Sequence, residues 1–318
     1  MHGEARHDRS RDAGVRSRHR RAALKLLLAA ALARMSPAGA AGAPLLARAI
    51  PKSGEKLPVI GLGTWQTFDA GGGAGARAPL KEVLREFVER GGKVIDSSPM
   101  YGSAERVAGD LAAELGVHDR LFVATKVWTS GRKAGIEQME ESLRLLRVNR
   151  IDLMQVHNLL DLGTHIKTLR EWKAAGRIRY LGITHYHAGA HDELARLVAS
   201  REYEFVQFNY SLGEREAERR LLPACADSGT AVLINRPFAE GALFRRVRGK
   251  PLPGWAGEID CTSWAQIFLK YIVSHPAVTC AIPATSNPQH LIDNLQAGLG
   301  RLPDAALRAR MVKVLEDA

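Results

Sequence analysis

Four side chains of unlike chemistry stand between residues 96 and 157 of the chain: Asp96, Tyr101, Lys126 and His157. Three of them sit at the ends of short apolar runs. Asp96 follows Val94-Ile95, Lys126 falls near the end of 121–127, and His157 ends 152–157. Tyr101 lies in the loop just after the first run, in Pro99-Met100-Tyr101-Gly102. A phenol has a pKa of about 10 and gives up its proton poorly at neutral pH. A lysine ammonium beside it stabilises the phenolate and is expected to lower that value. A carboxylate against the lysine keeps it charged and placed, and a histidine Nε2 near the phenol can hold a carbonyl oxygen in line. Such a set suits protonation of a carbonyl oxygen while hydride arrives at carbon. No side chain supplies hydride, so a nicotinamide cofactor is implied. Singly, each residue has an ordinary explanation: a local cap for Asp96, loop packing for Tyr101, a satisfied core histidine for His157. A lysine inside an apolar strand is unusual unless it is paired. The common phase of all four is what points to chemistry.

The elements that must position them alternate regularly. Expected strands cover 59–65, 93–97, 121–127, 152–157, 178–184, 205–209, 231–235 and 278–283. Amphipathic helices are expected over 79–90, from a cap at Ser103 to Leu115, and over 136–146, 164–175, 191–200, 215–226, 263–274 and 288–299, with one more closing the chain. A longer loop spans 236–261. Strands that read as unbroken apolar runs belong to a sheet buried on both faces, hence parallel. Eight strand–helix units favour an α/β fold of the closed (β/α)8 TIM-barrel type, a single domain, over an open doubly wound sheet. No G-x-G-x-x-G opens a helix after the first strand, which removes the main support for a Rossmann fold. In such a barrel the C-terminal strand ends face one site, so neighbouring strands bring the four groups together.

Charge is uneven along the chain. The net charge is +11, and residues 1–43 carry nine Lys or Arg against three acids. The remainder is mildly basic, without a Lys/Arg stripe interleaved with aromatics, so no nucleic-acid partner is expected. Residues 1–43 read as an export signal and basic tail: an Arg-rich start, an apolar run over 22–33 broken by Lys25, then small residues ending in A-x-A patterns at Ala40 and Ala43. Arg20-Arg21 followed by Ala-Ala-Leu-Lys resembles a twin-arginine signal, with Ala23 where Phe is usual. The run is too short for stable membrane insertion. A periplasmic or exported destination is therefore expected, with a cytoplasmic one as the alternative and the twin-arginine machinery as a partner. Residues 44–57 read as a linker and N-terminal hairpin, and 58–318 as the barrel with its C-terminal helix. Cys225, Cys261 and Cys280 have no metal-ligand spacing and read as packing residues.

The segments Gly61-Leu62-Gly63-Thr64-Trp65, Asp96 to Gly102, Ala124-Thr125-Lys126, Asp152 to Asn158 and Ile282-Pro-Ala-Thr-Ser-Asn-Pro resemble the aldo/keto reductase family from Pro58 to about Gln296. The resemblance implies a catalytic tetrad with Tyr101 as acid, Lys126 and Asp96 as its tuners and His157 as carbonyl orienter. It implies NADP(H) bound across the barrel mouth, with NAD(H) also open, and a small carbonyl substrate. Gly63 and Thr64 fall near the expected cofactor. Gln207 matches the family's carboxamide ligand, whereas the usual Ser-Asn pair is replaced by Thr184-His185. Arg236 occupies the place of a stacking Tyr, with Phe238 as an alternative stacker beside Pro237. Gly241 and Leu243 resemble the turn over the pyrophosphate. Ala284, Thr285, Ser286, Asn287, His290 and Asn294 align with the adenosine end, where many members place Lys and Arg around the 2′-phosphate. Trp65, Met100 and Trp128 are expected to line an apolar substrate pocket. The chain continues only briefly past the eighth helix, so a fairly open site is expected. No metal is expected. A second reading is a nucleotide-binding barrel serving as a redox sensor or regulatory subunit with little turnover; the altered Thr184-His185 and Arg236 support it.

Overall fold

The computed structural model describes Met1, His2 and residues 44–317. The expected export signal lies outside the described residues. The first element is a hairpin of β1 (Ala47–Ala49) and β2 (Lys56–Pro58), paired antiparallel with Ala47 opposite Pro58. Eight parallel strands follow: β3 (Leu62–Gly63), β4 (Val94–Asp96), β5 (Phe122–Val127), β6 (Ile151–His157), β7 (Ile178–Thr184), β8 (Phe205–Asn209), β9 (Ala231–Asn235) and β10 (Cys280–Ala281). Each hydrogen-bonds the next in chain order. The bridges Ile60–Ala281 and Gly63–Ala284 then join the first strand's chain to the last and close the barrel.

Between the strands run α1 (Ala74–Glu89), α2 (Ala104–Leu115), α3 (Arg132–Leu146), α4 (Leu162–Ala174), α5 (His191–Val198), α6 (Leu221–Ser228), α7 (Ala242–Arg246), α8 (Trp264–Val273) and α9 (Pro288–Gln296). The helix α10 (Ala305–Glu316) ends the fold. Apolar faces such as Leu80, Val83, Leu84 and Phe87 of α1 pack outside the sheet. A second, smaller core fills the barrel interior with Val94, Phe122, Leu153, Tyr180, Phe205 and Leu233, and Ile50 and Leu57 of the hairpin plug its base. Burial of this kind is favourable by about 25 cal/mol per Å² of apolar surface.

Strand side chains alternate faces with a period of two. Along the interior-facing positions, each row changes from apolar to polar at the same end. Val94 gives way to Asp96, Ala124 to Lys126, Leu153 to Gln155 and His157, Phe205 to Gln207, and Leu233 to Asn235. Register aligns these ends, pairing Lys126 with Gln155, His157 with Thr184, and Thr184 with Gln207. Gly182 makes room among them, since a Cβ there would lie 2.8 Å from the Phe205 carbonyl and 3.2 Å from Gln155 Cγ.

Several boundaries differ from the sequence reading. The outer strands are shorter: 59–65 contracts to Leu62–Gly63 and 278–283 to Cys280–Ala281, with single bridges completing closure. Helix α1 starts at Ala74, five residues before Pro79, through an exposed glycine-rich turn. Helix α3 starts at Arg132 and α4 at Leu162. The expected helix 215–226 splits into a 3-10 turn (Glu216–Arg219) and α6. The restart places Pro223 in a first turn, where a missing N–H costs little. The loop 236–261 holds α7 and two 3-10 turns.

Ser103 does not cap α2 with its side chain. Its hydroxyl and its N–H both donate to Asp69 Oδ1 at 2.8 Å. Gly102, at φ +60, permits this approach, because a Cβ there would lie 2.4 Å from the Asp69 carboxylate. All three cysteines are free and buried. No helix among the described residues is long and apolar enough to cross a membrane.

Candidate active site

The C-terminal ends of β4, β5 and β6 bring Asp96, Lys126 and His157 to one pocket, and the turn after β4 adds Tyr101. Lys126 is fully buried and its Nζ donates to Asp96 Oδ2 and to the Ser97 carbonyl, each at 2.7 Å. The other carboxylate oxygen, Oδ1, accepts from Gln207 Nε2 at 2.8 Å and Gln155 Nε2 at 3.3 Å. Asp96 is thus a hub for donors from three other strands. Lys126 Nζ lies 5.1 Å from the centre of the Tyr101 ring. The Tyr101 and His157 rings meet edge to face at 6.0 Å, and Trp128 lies 6.2 Å from His157.

This geometry sets the protonation states. Burial alone would lower the Lys126 value, but the Asp96 carboxylate and Tyr101 outweigh it and hold the ammonium above the usual lysine value. Burial raises the Tyr101 phenol; the Lys126 charge pulls it down and Asp96 pushes it up, leaving a net rise. The sequence expectation of a lowered phenol is therefore corrected, because desolvation exceeds the attraction of a lysine already neutralised by Asp96. Burial, followed by the charges of Lys126 and His185, lowers His157 to about 3, so its ring is neutral at neutral pH.

The supporting shell holds residues that the sequence reading left unassigned. Gln155 shares the interior phase of Leu153 and His157, and that period of two was the signal available for it. Thr64, expected near the cofactor, gives its hydroxyl hydrogen to the Asp96 carbonyl at 3.0 Å and can accept from Ser97 Oγ at 2.9 Å. Ser98 Oγ lies 3.1 Å from His157 Nδ1. The two serines had no periodic signal, because they belong to a turn.

Thr184 is buried and donates to Gln207 Oε1 at 3.1 Å, so Gln207 keeps one amide hydrogen after Asp96 is satisfied. His185 accepts the Tyr186 N–H on Nδ1 at 2.9 Å and stacks on the Tyr186 ring. Arg236 donates to the Tyr186 carbonyl at 3.0 Å and pairs with Glu240 at 2.8 Å, so its guanidinium is already engaged. Phe238 packs at 4.9 Å against Phe244. Pro237, Leu243 and Asn294 are buried. Leu243 is a core residue whose N–H bonds the Phe238 carbonyl, so its side chain does not serve the expected contact with a cofactor. Gly63 is bridged to the exposed Ala284. Asn287 caps α9 by accepting the Gln289 N–H at 2.8 Å, and Thr285 Oγ1 accepts the Asn287 N–H at 3.1 Å. Ser286 and His290 are exposed. Trp65, Met100 and Trp128 are each exposed by about two fifths.

The donor set at the mouth fits a nicotinamide nucleotide. Among the described residues, Asn158 Oδ1 and Asn235 Oδ1 are buried acceptors without a hydrogen-bond partner. Together with the remaining Gln207 amide hydrogen, they match the donor and acceptor chemistry of a carboxamide. Among the described residues, no group of His, Cys, Asp and Glu is placed to hold a metal ion.

Barrel, buried lysine–aspartate pair and juxtaposed phenol together define an oxidoreductase of the aldo/keto type. The sequence model described as the aldo/keto reductase family matches residues 59–310. The chain belongs to this family and is an NAD(P)H-dependent oxidoreductase acting on carbonyl groups. It is 30% identical to the methylglyoxal reductase YeaE of Escherichia coli over 245 residues, which is 75% of this chain and 84% of that protein. It is 26% identical to an NADH-specific methylglyoxal reductase of the same organism, covering 63% of this chain and 69% of the relative. An aldo/keto reductase of Klebsiella pneumoniae, solved in complex with NADP and acetate, superposes with a TM-score of 0.71 at 26% identity, covering 82% of this chain and 93% of that one.

Proposed function

We propose that this barrel reduces a small aldehyde or ketone to the alcohol, with Tyr101 as the proton donor. The observation that carries the reading is the pocket itself. A protonated phenol stands between a charged lysine, bonded to Asp96 at 2.7 Å, and a neutral histidine. When bound, the nicotinamide supplies hydride to the carbonyl carbon. Tyr101 gives its proton to the carbonyl oxygen. Lys126 stabilises the phenolate left behind, Asp96 holds Lys126 charged, and His157 orients the oxygen. Gln207 and Thr184, with Asn158 and Asn235, hold the carboxamide; His185 and Arg236 line the rim; 284–290 and Asn294 hold the adenosine end. Trp65, Met100 and Trp128 form an apolar, uncharged mouth, which suits a substrate without charge. Methylglyoxal, named for two relatives, is the first compound to assay.

Turnover of methylglyoxal is to be measured with NADPH and with NADH, for the wild type and Tyr101→Phe. General acid catalysis contributes about 10²–10⁴-fold, so Tyr101→Phe is expected to lose at least ~10²-fold in kcat. Undiminished turnover in that variant would overturn the assignment of the acid. A sensor with little turnover has no need of a buried acid, and binding of nucleotide without any reduction would favour that second reading.

We further propose that residues 1–43 direct export of the folded, cofactor-loaded protein through the twin-arginine machinery. The support is the Arg20-Arg21 pair, the short apolar run and the small residues ending at Ala40 and Ala43. N-terminal sequencing of periplasmic protein is expected to begin after one of those alanines. Recovery of the whole protein in the cytoplasm, with Met1 or its successor as first residue, would contradict it.

A further inference from the structure

Ser98, Pro99, Met100 and Tyr101 form a turn closed by the Tyr101 N–H on the Ser98 carbonyl at 3.0 Å. Pro99 holds the second position, where its fixed φ suits such a turn. One short turn therefore delivers two side chains to His157: the phenol of Tyr101 against the ring edge, and the Ser98 hydroxyl 3.1 Å from Nδ1. Ser98 is wholly buried. Its Oγ also lies 3.4 Å from the Met100 N–H, which can act on it only as a donor.

These contacts decide which way the Ser98–His157 hydrogen bond runs. A hydroxyl has one hydrogen to give and two lone pairs to receive with. Met100 approaches a lone pair. Among the described residues, the acceptor within reach of the hydroxyl hydrogen is His157 Nδ1. The opposite assignment, with Nδ1–H donating to Oγ, would leave that hydroxyl hydrogen buried without an acceptor. Nδ1 is thus the unprotonated nitrogen. A neutral imidazole must then carry its hydrogen on Nε2, which has no hydrogen-bond partner among the described residues.

We propose that Ser98 is a positioning residue that fixes His157 as the Nε2–H tautomer, making the ring a hydrogen-bond donor to the substrate's carbonyl oxygen. The inference rests on the reading that His157 touches that oxygen. It adds a reason for the hydroxyl in this turn. With the other tautomer, the Nε2 lone pair would repel the carbonyl oxygen and compete with it for the Tyr101 proton. Ser98 excludes that state, so phenol and imidazole both donate to one oxygen instead of to each other.

The test combines ¹⁵N NMR of the imidazole with steady-state kinetics on the full chain. His157 resonances are assigned by comparison with His157→Phe. Wild type is expected to show a protonated Nε2 and an unprotonated Nδ1 from pH 6 to 8. Ser98→Ala should populate the Nδ1–H form and lower kcat by roughly ten-fold or more, the scale of one hydrogen bond in the transition state. NADPH affinity should be unchanged. Ser98→Thr, which keeps the hydroxyl, should restore both the tautomer and kcat. A wild-type ring protonated on Nδ1, or a Ser98→Ala variant that keeps the Nε2–H form and full kcat, would overturn the proposal. If His157→Phe turns over as fast as wild type, the carbonyl contact falls and the proposal falls with it. If His157→Phe is slow while Ser98→Ala is not, only the role of Ser98 falls.

Discussion

The pocket around Asp96 and Lys126 and the rim proposed to hold the cofactor are built differently. In the pocket, Asp96, Lys126 and Gln207 are almost wholly buried, and each sits on a strand whose register fixes its height. The carboxylate alone collects Lys126, Gln155 and Gln207. On the rim, Arg236, Ala239 and Glu240 lie at positive φ, Arg236 donates to the Tyr186 carbonyl, and Asn235 donates to the His185 carbonyl. Ala284, Ser286 and His290 face outward. A buried network cannot lose a member without leaving a neighbour unpaired. A solvent-facing loop can exchange side chains at little cost. On the proposed assignment the chemistry belongs to the rigid part of the barrel, and cofactor preference to the adjustable part.

The comparison is broken most sharply at Lys126. Lys126→Met fills the space but leaves Asp96 buried against two neutral amides. Removing one partner of such a pair typically costs about 3–5 kcal/mol. Urea unfolding is expected to show a loss on that scale, alongside a loss of kcat. A variant as stable as wild type would mean that Gln155 and Gln207 suffice to hold the carboxylate. Gln207→Leu should cost less, about 1–3 kcal/mol, because it strands Thr184 and one bond to Asp96. It should also raise the cofactor KM, since the remaining amide hydrogen is lost. A stability change with no change in cofactor KM would confine Gln207 to the pocket.

Acidity distinguishes the two regions next. On the proposed mechanism reduction needs a protonated Tyr101, and burial raises that phenol's value. Activity is then complete below that value and lost as pH rises through it. The kcat/KM for reduction should stay level across neutral pH and fall only on the alkaline side, by about ten-fold per pH unit there. His157, lowered to about 3, should contribute no inflection near pH 6.5. An inflection there that vanishes in His157→Phe would show a titrating ring. The same lowering has a stability consequence. As pH falls from about 6.5 towards 3, the unfolded ring gains a proton that the folded one refuses, so stability drops in that window.

The contrast also explains what was legible in the sequence. Asp96, Lys126 and His157 were readable because each is a polar residue at or near the end of an apolar run, whereas Gln155, inside its run, needed the period of two to be noticed. The outer strands were overestimated because Val59 to Trp65 and Val278 to Pro283 have strand-like composition but pair only briefly at the closure. The cap at Ser103 was misassigned because its true partner, Asp69, lies 34 residues away, and local rules do not reach it. Ser98 was passed over for a related reason. A hydroxyl in a turn acquires a role only when the turn folds against His157. The direction of the Tyr101 shift needed burial as well as the charged neighbour, and burial is a property of the whole barrel.

The smallest predicted effect lies on the rim. His290 is exposed on the first turn of α9, beside Ser286 and the Asn287 cap, where free N–H groups already favour an anion. His290→Arg would add a fixed guanidinium suited to a phosphate dianion. An exposed ion pair is worth about 0.2–1 kcal/mol, so NADPH affinity should rise by no more than several-fold. NADH, which lacks the 2′-phosphate, should be unaffected. The kcat should not move, because among the described residues no hydrogen bond or ion pair joins the pocket to this turn. Fluorescence titration of both cofactors checks the difference. Equal tightening of NADPH and NADH would place His290 away from the phosphate and move the adjustable part of the enzyme elsewhere on the rim. A change in kcat would show that pocket and rim are coupled after all.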